Sequence, residues 1–124
     1  MSESQKNVLI LDDSEVVLDI ARKYLVDAGY FVSTAISLAE FDRHSAARQP
    51  DLILLDVQMP ELEGDDLGRK LRMERGVTAP ILLFSTLDEE QLESRSKSSG
   101  LDGWVSKNAG LDALIAEVRA RIGR

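Results

Sequence analysis

The residues of this chain with the clearest chemical potential are five polar side chains that follow short apolar runs. They are Asp12 and Asp13 after Val8–Leu11, Asp56 after Leu52–Leu55, Ser85 after Ile81–Phe84, and Lys107 shortly after Trp104–Val105. If these runs are strands of one parallel sheet, three carboxylates meet at one edge, where they repel one another and need a cation. Carboxylate oxygens suit Mg²⁺, with Mn²⁺ as an alternative and water completing the coordination shell. The sequence therefore predicts an acidic cation site with a lysine beside it.

Asp56 is predicted to be the reacting group of this site. A carboxylate is a competent nucleophile toward phosphorus and forms an aspartyl phosphate. A cation, a lysine and a hydroxyl can stabilise the oxygens of a phosphoryl group, and here Lys107 and Ser85 supply the last two. The expected metal ligands are Asp13, Asp56 and the backbone carbonyl of Gln58, just past Asp56. Asp12 is expected to hold the metal directly or through water.

The elements that must position these residues are five predicted strand–helix pairs. Four of the apolar runs are typical of buried strands, and Tyr30–Ala35 alternates weakly, which favours an edge strand. Helices are expected at about residues 15–28, 38–48, 65–75, 88–99 and 111–122. Strands that alternate with helices predict an α/β fold, with a doubly wound parallel sheet covered by helices on both faces. At this length the expected winding is flavodoxin-like, (βα)5, with strand order 2-1-3-4-5 and a switch point between the first and third strands.

Two of the predicted helices differ in the strength of their apolar faces. The first is expected to bury one stripe made of Val17, Ile20, Ala21, Tyr24, Leu25 and Ala28. The fourth, at about Asp88–Ser99, has Leu92 as its only large apolar residue and is interrupted by serines. A helix with so thin an apolar face gains little from packing, so we expect it to be mobile.

Composition limits the possible functions. The chain has 124 residues, which favours a single domain over residues 1–124. The net charge of −7 argues against direct nucleic-acid binding, which needs a basic face. The absence of cysteine excludes disulfides and thiolate metal sites. No apolar run is long enough for membrane insertion and no signal peptide opens the sequence, so we expect a cytoplasmic protein.

Several sequence pieces, in this order and with these spacings, carry a resemblance to a known family. They are Leu11–Asp13, Leu55–Pro60 with Gly64, Leu67 and Leu71–Arg72, Ser85, and Gly100–Lys107. Together they resemble the receiver domain of two-component response regulators, such as the chemotaxis regulators, along essentially the whole chain. The resemblance implies phosphotransfer onto Asp56, with Mg²⁺, from a sensor histidine kinase or a histidine phosphotransfer protein. It also implies that Ser85 closes on the phosphoryl group, that Trp104 occupies the aromatic switch position, and that the domain signals to a downstream protein.

Three residues depart from the family pattern. Proline usually follows the lysine, but here Asn108 does, and a cis bond before a non-proline residue costs roughly 3 kcal/mol. The Lys107–Asn108 bond is therefore expected to be trans. Thr86 stands where a very small residue is common, and Leu87 cannot hydrogen-bond an attacking water, whereas Gln58 can. We expect Gln58, Thr86 and Leu87 to tune dephosphorylation, and Thr86 and Leu87 to give a longer-lived phosphoryl group.

Other functions and arrangements compete with this one. The domain could be a fragment of a larger regulator or of a hybrid histidine kinase instead of a stand-alone regulator. A Mg²⁺-dependent phosphatase of the haloacid-dehalogenase type needs a second aspartate two residues after the nucleophile, where Gln58 stands. An FMN-binding flavodoxin is disfavoured because Asp12–Glu15 would repel a phosphate. A docking module without phosphorylation is disfavoured by the intact acidic site, so the prediction is a signalling domain and not an enzyme.

Overall fold

Five strands and five helices alternate along the chain in the computed structural model, which describes residues 5–123. The strands are β1 (Asn7–Leu11), β2 (Phe31–Ala35), β3 (Leu52–Leu55), β4 (Ile81–Ser85) and β5 (Gly103–Ser106). The helices are α1 (Glu15–Asp27), α2 (Leu38–Ala47), α3 (Gly64–Glu74), α4 (Glu89–Ser98) and α5 (Leu111–Ile122), with a 3₁₀ turn at Lys107–Ala109 before α5. All strand pairs are parallel and the order is β2-β1-β3-β4-β5, which confirms the predicted flavodoxin-like winding.

The apolar runs of the central strands are continuous because both faces of the sheet are covered. One face packs against α1 and α5 through Val8, Ile10, Leu52, Leu54, Leu82 and Phe84. The other face packs against α2, α3 and α4 through Leu9, Leu11, Ile53, Leu55, Ile81 and Leu83. Successive residues of a strand point to opposite faces, so every residue of such a run is buried. Burying each of these side chains stabilises the fold by about 1.5–3 kcal/mol, which holds the strand ends of the site in place.

Helix α1 begins as predicted but buries a different stripe. The Ser14 side chain accepts a hydrogen bond from the backbone N–H of Val17 and caps the helix. The buried residues are Leu18, Ala21 and Leu25, whereas Ile20 and Tyr24 are each 44% exposed. The predicted stripe was therefore wrong for Ile20 and Tyr24 and omitted Leu18. Two apolar stripes overlap on this helix, and periodicity alone does not decide which of them faces the sheet.

The register between β4 and β5 is held at their amino ends by one arginine. The guanidinium of Arg72, at the end of α3, binds the carboxylate of Asp102 and donates to the backbone carbonyls of Val77 and Ala79. The same carboxylate of Asp102 accepts the backbone N–H of Ile81. These contacts join the first residues of β4 to those of β5, so the opposite ends of both strands reach the site edge in a fixed relation.

Helix α4 is held mainly by polar contacts. Its buried residues are Leu92 and Ser96, which agrees with the thin apolar face read from the sequence. Arg95 extends to the other side of the site edge, where its Nη1 lies 3.4 Å from Glu63 Oε1 and 3.2 Å from Asp65 Oδ2. Asp65 is buried in the first turn of α3, and its Oδ1 has no hydrogen-bond partner among the described residues. Apart from Leu92, α4 is therefore attached by polar contacts that are partly exposed, and its mobility stays a prediction.

Replacing Arg95 with alanine should destabilise the protein, because Asp65 would then be left buried without a cation. Leaving a buried acceptor unpaired costs on the order of 1–3 kcal/mol. Lys97→Ala is the matched control on the same helix, since Lys97 pairs with Glu93 at 77% and 50% exposure and should matter by less than about 0.5 kcal/mol. Urea unfolding followed by circular dichroism measures both. Equal free energies of unfolding for the two variants would contradict the assigned role of Arg95.

Candidate functional site

The first part of the site lies where β1 and β3 end side by side. Leu11 pairs with Leu55, so Asp12 and Asp56 leave neighbouring strands at the same level. The backbone N–H of Asp56 donates to the carbonyl of Leu11 at 3.0 Å, which continues the sheet pairing up to the site. Carboxylate oxygens of Asp12, Asp13 and Asp56 all lie within 4.8 Å of one another. The structure thus brings together the three carboxylates that the sequence placed at one edge.

Lys107 reaches this cluster from β5. Its Nζ lies 2.6 Å from Asp12 Oδ2 and 3.7 Å from Asp56 Oδ2, and its side chain is 14% exposed. The stem passes the ring of Phe84, with Nζ 5.5 Å from the ring centroid. The 3₁₀ turn that starts at Lys107 sets this approach, and the sequence did not indicate it. One ammonium therefore faces three carboxylates, and it lies closer to Asp12 than to Asp56.

The donor set fits a hard divalent cation. Asp12 Oδ1 accepts the backbone N–H of Ser14 at 2.9 Å, while Oδ2 is buried and has no hydrogen-bond donor in good geometry among the described residues. Its contact with Lys107 is a close ion pair and not an aligned hydrogen bond. Asp13 is exposed and leaves the cluster open to water. Three converging carboxylates and access to water are what Mg²⁺ or Mn²⁺ requires.

Burial is the main influence on the charge of Asp56. It raises the pKa of the Asp56 carboxyl from 3.8 to about 6, and the negative charges of Asp12 and Asp13 act in the same direction. The positive charge of Lys107 and the backbone N–H of Gln58, which lies 3.4 Å from Asp56 Oδ1, lower this pKa in part. The carboxylate is consequently ionised at neutral pH but less stable in the fold than in water.

Gly64 lies so close to Asp56 that no side chain fits at position 64, and the sequence did not reveal this requirement for glycine. A Cβ at this position would lie 2.0 Å from the backbone carbonyl oxygen of Asp56 and 3.3 Å from the Cβ of Leu55. The backbone N–H of Gly64 donates to the carbonyl of Val57 at 3.0 Å, so α3 begins directly against the loop that follows β3. The sequence showed only that Gly64 closes a turn, because the close approach depends on the packing of α3 on the sheet.

Ser85 ends β4 on the same edge, fully buried and paired in register with Ser106 of β5. Its Oγ accepts the backbone N–H of Leu87 at 3.4 Å. Within residues 5–123, no hydrogen bond joins Ser85 to Asp56. The structure therefore places Ser85 at the same edge of the sheet without a hydrogen bond to Asp56. Leu87 packs half-buried against the apolar face formed with α3 and α4.

Trp104 lies away from the carboxylates. It is in β5, paired with Leu83, and is half-buried against the apolar face shared with α4. Its indole Nε1–H donates to Glu93 Oε1 at 2.7 Å, which ties β5 to α4. The structure thus gives Trp104 a contact with α4, and its role as a switch residue stays a prediction.

The remaining predicted residues form contacts between loops. The Thr86 hydroxyl lies 3.5 Å from Gln58 Oε1, and the Asn108 side-chain Nδ2 donates to the Thr86 carbonyl at 3.4 Å. The described residues contain no cis peptide bond, so Lys107–Asn108 is trans, as expected. Sequence reasoning singled out each residue, but it missed that Gln58, Thr86 and Asn108 are joined.

A sequence model of the response regulator receiver domain matches residues 8–119. A transcriptional regulator, RpaA of Synechocystis sp., described as DNA-binding, is 31% identical over 118 residues, which cover 94% of this chain and 49% of that protein. The transcriptional regulatory protein KdpE of Mycobacterium tuberculosis is 32% identical over 117 residues, covering 94% of this chain and 51% of that protein. The chain thus spans about half the length of these curated relatives.

Solved structures give the same result at the level of the fold. The chemotaxis protein CheY4 of Vibrio cholerae superimposes with a TM-score of 0.85 at 28% identity, covering 95% of this chain and 99% of that one. A two-component response regulator of Clostridium difficile has a TM-score of 0.85 at 26% identity, covering 97% and 98%. Across residues 5–123, no helix has both the length and the apolar character needed to cross a bilayer.

Gly64→Ala should destabilise the protein and disturb the site. The new methyl would collide with the backbone of Asp56, and such overpacking costs about 1–3 kcal/mol or more. Gly76→Ala is the control, because Gly76 has a φ of +66° but nothing within 4 Å of an added Cβ, and it should cost about 1 kcal/mol. Amide NMR shifts of residues 55–58 should move in the first variant only. Unchanged shifts in Gly64→Ala would refute the close approach.

Asp56→Asn should stabilise the metal-free protein above pH 6. The folded pKa of Asp56 is about 6 and its ordinary value 3.8, so the folded state binds more protons and loses stability as pH rises through that range. Asparagine cannot ionise, so at pH 7.5 the variant should gain up to about 3 kcal/mol, and the gain should vanish toward pH 4. Urea unfolding with a chelator present measures this. Asp19→Asn, on an exposed face of α1, controls for net charge, and a pH-independent gain would contradict the prediction.

Proposed function

Because the chain belongs to the family of response regulator receiver domains, we propose that it is a phosphoacceptor that takes a phosphoryl group on Asp56 in a two-component system. The observation that supports this most is the convergence of Asp12, Asp13 and Asp56 with the ammonium of Lys107. An aspartate pKa of about 6 leaves the nucleophile ionised at neutral pH. The family is one of signalling domains, and the chain acts as substrate and assistant of its own phosphorylation.

The proposed donor is a phosphohistidine on a sensor histidine kinase or a histidine phosphotransfer protein. An oxygen of the Asp56 carboxylate attacks phosphorus, the P–N bond to imidazole breaks, and its electron pair returns to the imidazole, which takes up a proton. The phosphoryl group brings further negative charge to an acidic cluster. Positive groups must therefore stabilise the phosphoryl oxygens. The open side of the cluster at exposed Asp13 is where the donor side chain can approach.

The chain's own residues supply part of this stabilisation. Lys107 Nζ is 3.7 Å from Asp56 Oδ2, close enough to pair with the phosphoryl group in place of its contact with Asp12. Ser85 is on the adjacent strand end, and its hydroxyl reaches the phosphoryl group once it leaves the N–H of Leu87. Mg²⁺, held by Asp12, Asp13, Asp56 and the backbone carbonyl of Gln58, would neutralise charge on the same oxygens. Gln58, Thr86 and Leu87 set the lifetime of the product.

The signal passes to other proteins by contact. Ser85 and Trp104 are the proposed switch residues, and the hydrogen bond from Trp104 to Glu93 makes α4 the element that responds. We place the domain, residues 1–124, in the cytoplasm with a kinase or phosphotransfer protein upstream and an unidentified protein target downstream.

The domain is either a stand-alone regulator or the receiver part of a longer regulator or hybrid kinase. The chain covers 99% of CheY4 and 49% of RpaA, so both arrangements occur among similar proteins. The native mass of the protein in its own cells distinguishes them.

Incubation of the protein with acetyl phosphate and Mg²⁺ should add one phosphoryl group, detected by intact mass spectrometry. Asp56→Asn should gain none, because the nucleophile is absent, and Asp13→Asn or a chelator should reduce the gain strongly. Asp66→Asn, an exposed carboxylate of α3, is the matched control and should be phosphorylated like the wild type. An equal gain in Asp56→Asn, or none in the wild type, would contradict the proposed function.

A further inference from the structure

Three loops at the site edge are joined by a row of side-chain hydrogen bonds. Asn108 Nδ2, after β5, donates to the backbone carbonyl of Thr86, after β4, at 3.4 Å. The Thr86 hydroxyl in turn lies 3.5 Å from Oε1 of Gln58, after β3. We call Asn108, Thr86 and Gln58 the loop bridge. It runs from the turn that carries Lys107 to the loop that follows Asp56, and so spans the residues proposed to surround the phosphoryl group.

The turn holds Asn108 in place for this contact. Its backbone N–H donates to Ser106 Oγ at 3.1 Å, and the preceding peptide bond is trans. The 3₁₀ turn over Lys107–Ala109 then brings its amide to the Thr86 carbonyl. Thr86 directly follows Ser85, so one amide fixes the segment that carries the hydroxyl relative to the turn that carries Lys107.

We propose that Asn108 is a positioning residue that slows hydrolysis of the aspartyl phosphate, acting through Thr86 on Gln58. This inference rests on the proposed function and concerns the regulation of the same site. In hydrolysis, the oxygen of a water forms a bond to phosphorus and the bond between phosphorus and the Asp56 oxygen breaks. Its electron pair restores the carboxylate, and a proton of the water is released to the solvent or to the phosphate.

The loop bridge opposes this step in two ways. Gln58 Oε1 is turned toward the Thr86 hydroxyl, so the polar group best placed to orient a water is engaged elsewhere. The amide of Asn108 also ties the loop after β4 to the Lys107 turn, which favours the position in which the Thr86 hydroxyl faces Gln58. Without Asn108, Thr86 can withdraw and the Gln58 carboxamide can accept a hydrogen bond from the attacking water.

The contacts can be tested without unfolding the protein. All three members of the loop bridge are exposed, and both hydrogen bonds are long and open to solvent. Exposed hydrogen bonds of this kind contribute little to folding stability, because water replaces the lost partner. A change in the rate of phosphoryl loss with unchanged urea unfolding is therefore the signature of a positioning role.

The experiment measures loss of the phosphoryl group by intact mass after removal of acetyl phosphate. Asn108→Ala and Thr86→Val should each accelerate the loss about three- to tenfold, as expected for one hydrogen bond expressed in the barrier. Because both act through one bridge, the double variant should be no faster than about the faster single variant. Thr86→Ser keeps the hydroxyl and should restore the wild-type rate. Ala109→Ser, in the same exposed turn, should leave the rate unchanged.

Three results would overturn the proposal. These are an unchanged or slower rate in Asn108→Ala, multiplied effects in the double variant, and equal acceleration by Ala109→Ser. A wild type that gains no phosphoryl group instead refutes the proposed function. In that case the side-chain amide NMR signals of Gln58, compared between wild type and Asn108→Ala without phosphorylation, still decide whether the loop bridge exists, and no shift would refute it.

Discussion

The confinement of two buried carboxylates, Asp12 and Asp56, beside a single ammonium is the constraint on which the rest of the structure depends. Like charges at this distance repel, and removal from water increases the cost. The sheet order imposes the contact, because β1 and β3 are adjacent and both end in aspartate. Lys107, which follows the edge strand β5, compensates one of the negative charges; its Nζ lies 2.6 Å from Asp12 Oδ2. The apolar packing on both faces must supply the free energy that keeps this unfavourable cluster together.

The cost of this cluster is seen in the pKa of Asp56. Burial raises the pKa of Asp56 to about 6, which means that the ionised carboxylate is destabilised in the fold relative to water. A cation bound beside Asp56 would reduce that destabilisation, because its positive charge favours the ionised carboxylate. Lys107 lies closer to Asp12 than to Asp56, so Asp56 Oδ2 is less well paired than Asp12 Oδ2.

The residue pattern predicted the elements well and the contacts between distant residues poorly. Continuous apolar runs gave the strands, and alternation with helices gave their order, because both depend on local periodicity and chain length. The buried stripe of α1 was predicted wrongly, since Ile20 and Leu18 fit overlapping helical stripes and only packing decides. The need for glycine at position 64 depends on the distance from α3 to Asp56, which no local pattern encodes.

The segment between Asp56 and the start of α3 also contacts α4. The position of Asp56 and the attachment of α4, which the sequence presented as separate features, are therefore connected. Because the apolar face of α4 is thin, two of its polar residues attach it to its neighbours. Arg95 pairs with Glu63 and Asp65 at the start of α3, and Glu93 accepts a hydrogen bond from Trp104 of β5. Asp65, the buried partner of Arg95, directly follows Gly64, whose backbone lies against Asp56. A helix with a larger apolar stripe would stay in place whatever happened in that loop. Here the position of α4 depends on the loop, because polar contacts at its two sides carry energy that packing supplies to the other helices.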